Sequence, residues 1–221
     1  SKAFPGVQAL QSVDLELREG EVHALVGENG AGKSTLIKVL SGVYRPDAGR
    51  LWLQGREIRS RSPREMMDLG VRVIYQELNL VPGLSVAENL FLGREPSRYW
   101  IPGVVNWSEM YRQCDAILGQ FGLEIDPRTT VSRLGVAYQQ IIEIAKAVSC
   151  RAKIVVMDEP TSALTERETE RLFAIIHDLR GAGVSVIYIS HRLEEIRRIA
   201  DRVTVLRDGR HIVTAAQPEL S

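Results

Sequence analysis

Long apolar runs are missing from this 221-residue sequence: no uninterrupted hydrophobic stretch reaches the roughly 20 residues that cross a bilayer, and no signal-like segment stands at the N-terminus. A soluble, cytosolic chain is the expectation. Excess charge is missing too. Lys and Arg number 28 against 28 for Asp and Glu, so no positive field draws the chain to nucleic acid or to an anionic membrane surface. Cysteine is scarce. Cys114 and Cys150 stand far apart with no CxxC or Cys/His spacing, which argues against a disulfide framework or zinc site and leaves two free thiols with no assigned role. Repeats and low-complexity tracts are absent as well. What remains is a length suited to one α/β domain with a subdomain, able to bury its core without disulfides or metals. The abrupt start, with Phe4 where an earlier strand is expected, suggests an excised domain.

Short apolar runs alternate with helical periodicity, the pattern of a sheet with crossover helices. Strands are predicted at EVHALVG (Glu21 to Gly27), VRVIYQ (Val71 to Gln76), KIVVM (Lys153 to Met157), SVIYIS (Ser185 to Ser190) and RVTVLR (Arg202 to Arg207). Helices are predicted at STLIKVLSG (Ser34 to Gly42), Thr165 to Arg180 and Leu193 to Ala200. RLWLQGREI (Arg50 to Ile58) reads as a small hairpin, and Asp208-Gly209 as the turn of a terminal one. From Glu77 to about Ser132 the pattern is helical and loop-rich, with SVAENLFLG and SEMYRQCDAILGQFG separated by Pro96, Pro102 and Gly103. This is an inserted helical subdomain, extending to about residue 150.

GENGAGKS, Gly27 to Ser34, matches GxxxxGK[ST] in full, between a predicted strand and a predicted helix. An ordinary Gly-rich turn would account for the glycines but not for the Lys-Ser pair. The physics suits a polyphosphate. Glycines let the backbone N–H groups from Gly27, Asn29, Gly30, Ala31 and Gly32 turn inward, the helix N-terminus adds partial positive charge, and Lys33 a full one. Ser34 is placed to hold Mg²⁺ by its hydroxyl, and Thr35 to reach the α-phosphate. KIVVMDEP puts Asp158 and Glu159 at the carboxyl end of an apolar strand, where a parallel sheet presents its ligand. Asp158 suits a water-mediated contact to Mg²⁺ and Glu159 the orientation or deprotonation of an attacking water. A helix N-cap followed by a surface glutamate is the plainer alternative. Gln76 ends one strand and His191 follows another, so both reach the same rim, where Gln76 can bind Mg²⁺ and the attacking water and His191 can donate to the γ-phosphate. Taken singly, each reads as a solvated strand end; their order and spacing beside the loop and the acid pair favour the site. His23, His177 and His211 are read as structural.

With these residues in order, the chain resembles the nucleotide-binding domain of an ABC transporter over essentially its whole length. FPGVQAL, ENGAGKSTLIKVLSGVYRPDAG, IYQELNLVPGLSVAENLFLGRE and IEIAKAV resemble more narrowly the ATPase subunits of bacterial monosaccharide importers. The resemblance implies a P-loop NTPase core of mainly parallel sheet, with an antiparallel β subdomain and the α-helical insertion docking a membrane permease. It implies ATP and Mg²⁺ as ligands, a place at the cytoplasmic face of a bacterial membrane, and Phe4 stacking on adenine, where the residues alone leave a core role open. It further implies head-to-tail pairing with a second such domain, on the same native chain or in a homodimer. This chain would then be the first half of a tandem protein, weakly active alone.

Two departures stand out. The family's LSGGQ signature reads Leu134-Gly135-Val136-Ala137-Tyr138 here, so the serine hydroxyl aimed at the partner's γ-phosphate is missing and Val136 crowds the approach. Ser162 to Thr165 reads SALT where many relatives end in aspartate. The leading reading is therefore an ATP-driven motor for sugar uptake, and the alternative a nucleotide-gated regulatory module with vestigial hydrolysis. A DNA-repair or translation ATPase is disfavoured by neutral charge. The arginines at 45, 50, 56, 59, 61, 64 and 72 are interspersed with acids and read as a solvated surface.

Overall fold

The computed structural model describes residues 1–58, 62–76, 78–98, 101–150 and 152–216. Glu77, Arg59 and Arg61, named above, lie outside the described residues. The chain opens with β1 (Lys2–Phe4) and β2 (Val7–Leu10), then β3 (Val22–Val26), α1 (Lys33–Leu40), the short ladder β4 (Trp52–Leu53) and β5 (Arg56–Glu57), α2 (Pro63–Asp68) and β6 (Val71–Ile74). The insertion carries α3 (Val86–Phe91), β7 (Ser97–Arg98), β8 (Ile101–Val105), α4 (Trp107–Gln120) and α5 (Val136–Ser149). The core resumes with β9 (Ile154–Asp158), α6 (Glu166–Gly181), β10 (Ser185–Ile189), α7 (Leu193–Ile199), β11 (Arg202–Arg207) and β12 (Arg210–Ala216).

Six strands form one sheet in the order β12-β11-β3-β10-β9-β6, all neighbours parallel except the terminal β11–β12 hairpin. Side-chain alternation divides its faces. Val155, Met157, Val186 and Tyr188 join the core beneath α3 to α6, while Val156, Ile187 and Ile189 pack with Leu36, Ile37 and Val39 of α1. Both faces are covered, which is why these strands read as continuous apolar runs rather than alternating ones.

The expected α/β class, the five parallel strands and the helical insertion are found. The antiparallel portion consists, among the described residues, of the two-stranded ladders β1–β2 and β4–β5. Two features differ in detail. The insertion contains a β7–β8 hairpin where loop was expected around Pro96 to Gly103. Helix α2 was not anticipated, although Ser62-Pro63-Arg64-Glu65 closes a capping box with proline in the first turn. No helix among the described residues is long and apolar enough to cross a membrane.

Candidate active site

The loop from Gly27 to Gly32 leaves β3 and enters α1 with two glycines in left-handed conformations, Gly30 at φ 86° and Gly32 at φ 102°. Gly32 has no room for a side chain: a Cβ there would stand 2.7 Å from the Ala9 carbonyl and 2.8 Å from Leu10. At Gly27 a Cβ would run into the Leu206 carbonyl and Ala31. The loop is therefore clamped from behind by β2 and β11 and open in front, where nothing stands within 4 Å of a Cβ on Gly30. Helix α1 starts with no side-chain cap and no acid in its first turn, leaving its orphan N–H groups to face an anion. Lys33 Nζ donates to the carbonyls of Gly27 at 2.5 Å and Glu28 at 3.0 Å, holding the ammonium over the loop.

In front of the loop lies a groove of about 680 Å³. Phe4, Asn29, Gly30, Gly32, Lys33, Ser34, Thr35, Gln76, Asp158 and Glu159 all line it, so the topology brings together residues from four separate segments. Gly27 and Ala31 back the loop instead, Ala31 being buried. His191 stands outside the lining but reaches it through Glu159: its Nδ1 lies 3.2 Å from Glu159 Oε1. Phe4 is half-buried, its ring edge-on to Tyr44 at 5.3 Å with the Lys2 ammonium over it at 5.5 Å. It faces the groove while braced from the other side.

Burial holds the Asp158 carboxyl above the ordinary carboxylate range, the Glu159 charge adds to this, and the Lys33 ammonium opposes it. Ser34, Gln76 and Asp158 also share an adjoining hollow. A hydroxyl, an amide oxygen and a carboxylate make a hard oxygen set, and it fits Mg²⁺. Glu159 adopts φ 47°, rare for a side-chain-bearing residue, and its N–H donates to Ile189 O at 2.9 Å. The end of β9 is thus stitched to the end of β10, two residues before His191.

Sequence reading overlooked several neighbours. Gln8, Ala9 and Asp208 line the groove, and Gly209 N–H donates to the Ala31 carbonyl at 3.1 Å, bracing the loop from the β11–β12 turn. Asp208-Gly209 was legible as a turn, but not as one that touches the phosphate loop. Glu195, unremarked in the sequence, is buried among hydroxyls.

The insertion carries the last element. Gly135 caps α5 with no side-chain hydrogen bond, and α5 has no acid in its first turn. Gln139 Nε2 donates back to the Leu134 carbonyl at 2.8 Å, shaping the approach. Val136 and Tyr138 stand exposed at this helix tip, 49% and 42%. Thr165, the last SALT residue, is the N-cap of α6, and its N–H and Oγ1 both donate to the Glu168 carboxylate, at 2.8 and 2.7 Å.

A covered parallel sheet with a phosphate-type loop, a strand-end acid pair and an uncapped helix behind that loop defines the P-loop NTPase architecture. The ABC transporter family profile matches residues 10–162, and the chain belongs to that family. It is 56% identical over 210 residues to ribose import ATP-binding protein RbsA 1 of Rubrobacter xylanophilus, covering 95% of this chain and 42% of the relative. It is 53% identical over all 221 residues to ribose import ATP-binding protein RbsA of Rhodopirellula baltica, covering 43% of that protein. The chain thus spans less than half the length of these curated relatives. Among solved structures, a nucleotide-free ATP-binding cassette from an ABC transporter superposes with TM-score 0.85 at 27% identity, covering 97% of this chain and 88% of the other. An ADP conformation of such a cassette gives TM-score 0.83 at 25% identity, covering 97% and 87%.

Proposed function

We propose that this chain is an ATP-binding and ATP-hydrolysing cassette that powers monosaccharide import through a separate membrane permease. The observation that carries the reading is the single groove in which Lys33, Ser34, Gln76, Asp158 and Glu159 meet. The ribose-import names of relatives above 50% identity support the sugar class.

In this reading the triphosphate of ATP lies along the loop, its charge met by the N–H groups at the start of α1 and by Lys33, while Phe4 stacks on the base. Ser34, Gln76 and Asp158 would hold Mg²⁺, which neutralises phosphate charge when bound. Glu159 orients the attacking water and receives its proton. The water oxygen bonds to the γ-phosphorus as the bridge to the β-phosphate breaks, and ADP leaves with the bridging electrons. His191, tethered to Glu159 by one ring nitrogen, directs the other toward the γ-phosphate.

A second cassette, on the same native chain or in a homodimer, completes each site through the tip of α5. The permease docks on the helical insertion, whose exposed Leu92, Val104 and Trp107 suit an apolar partner; in this reading the chain sits peripherally at the cytoplasmic face of a bacterial membrane. The absent hydroxyl at Gly135 and the exposed Val136 favour a second reading, nucleotide-gated pairing with vestigial hydrolysis. Phosphate release from MgATP, compared between the protein and Lys33→Ala, separates the two. A Lys33-dependent rate supports the motor, and binding without turnover supports the gate.

A further inference from the structure

We propose that Glu195 is a positioning residue that holds the Glu159 and His191 segments in register, a role that rests on the hydrolytic reading above. Glu195 lies in the first turn of α7, where an acid is ordinarily solvated, yet it is only 6% exposed. Its Oε1 accepts from Thr161 Oγ1 at 2.8 Å and Arg192 Nη1 at 3.2 Å. Its Oε2 accepts from Tyr188 OH and Ser190 Oγ, each at 2.8 Å, and shares Thr161 Oγ1 at 3.0 Å. Thr161, Tyr188 and Ser190 are themselves buried.

The placement of these donors gives the carboxylate its meaning. Thr161 follows Glu159 by two residues, and Ser190 immediately precedes His191. One carboxylate therefore ties the chain just after Glu159 to the chain just before His191. The parallel β9–β10 ladder, closed by the Glu159 N–H to Ile189 O bond, fixes the strands themselves; the carboxylate carries the tie past the end of that ladder, into the two segments that hold Glu159 and His191. Ser190 Oγ also accepts from Arg192 N–H at 3.0 Å, so the turn carrying His191 is closed by the same network. Buried hydroxyls left without an acceptor are costly, so the set stands or falls together. The 3.2 Å approach of His191 to Glu159 is the quantity this network protects.

The test uses the intact protein with Glu195→Gln, Thr161→Val and Ser190→Ala, and Glu194→Gln as the exposed neighbour. Thermal melts establish that each variant is folded, and the two hydroxyl deletions serve if Glu195→Gln is not. Expected is a fall in kcat for ATP hydrolysis of about ten- to a hundred-fold, because small misplacement of catalytic groups acts on rate. KM for ATP should move less, since the phosphate loop is untouched, and Glu194→Gln should behave as the unsubstituted protein. Amide hydrogen exchange without nucleotide should quicken together in the segments bonded through Ser162 N–H, Leu164 N–H and Arg192 N–H. Folded variants with unchanged kcat, or quickening in one segment only, overturn the role. Phosphate release absent from the unsubstituted protein overturns the hydrolytic reading and this role with it; release that the variants match overturns this role alone.

Discussion

His191 Nδ1 sits 3.2 Å from Glu159 Oε1, joining an imidazole with 67% of its side chain exposed to a carboxylate that is 23% exposed. Glu159 is held there in a left-handed backbone conformation at the strand end. Strain of this kind survives only where surrounding bonds enforce it, and here β10 supplies one through Ile189 O. The pair is thus set by the sheet rather than by the two side chains.

Glu159→Gln should keep MgATP binding while lowering hydrolysis by about a hundred-fold or more, the range for losing a positioned base. Calorimetric titration with MgATP beside a phosphate-release assay checks it. Equal loss of binding and rate would assign Glu159 to binding instead.

Phe4→Ala should weaken nucleotide affinity by a factor matching about 1–3 kcal/mol of base stacking, with kcat little changed. Adenine and guanine nucleotides compared on both proteins show whether the ring reads the base. Because Phe4 also leans on Tyr44 and Lys2, a melting curve accompanies the titration.

Gly135→Ser should raise turnover at the composite site by about ten- to a hundred-fold, the value of one hydrogen bond to a charged group. The structure accepts the change, because a Cβ at Gly135 meets nothing within 4 Å and its φ is −63°. Stability should rise by no more than a few tenths of a kcal/mol from the new N-cap. ATPase rate against protein concentration, with and without the serine, is the measurement; no gain would remove this position from the partner's site.

Stability should fall as pH rises from about 4.5, owing to Glu143. Burial in α5 pushes its carboxyl up, against the pull of two Asn79 donors and the Lys146 charge. Its Oε2 is buried without a hydrogen-bond partner among the described residues. A carboxyl that binds protons more tightly folded than unfolded favours folding fully below its ordinary value of 4.5, and this contribution is lost as pH climbs through the raised folded value. Urea denaturation across that window should show the slope, and Glu143→Gln should flatten it.

Gly209→Val should destabilise the chain and weaken nucleotide binding together. Gly209 adopts φ 71°, and a Cβ there would stand 2.7 Å from the Ala9 carbonyl. The expected cost is about 1–3 kcal/mol for the strained backbone, before the clash with β2. Melting temperature and MgATP affinity measured on one preparation test the coupling.

Much of this fold was legible because buried parallel strands advertise themselves as apolar runs, and the loop from Gly27 to Ser34 carries its chemistry in its residue types. Gln76, Asp158 and Glu159 were legible from their position at strand ends, which a parallel sheet places on one rim. The β7–β8 hairpin was not, because Pro and Gly signal a turn without saying what flanks it. Helix α2 could have been found from its capping box, and its brevity hid it. Glu195 was beyond reach: its partners Thr161 and Tyr188 become neighbours only after β9 and β10 pair.

The bond from Gly209 to the Ala31 carbonyl joins residues far apart in sequence. A polypeptide emerging from the ribosome therefore exposes its phosphate loop well before the β11–β12 turn is made to brace it. Nucleotide capture by nascent chains should accordingly strengthen only once translation has passed Gly209, so that a product truncated before that turn is a poor competitor for cellular ATP.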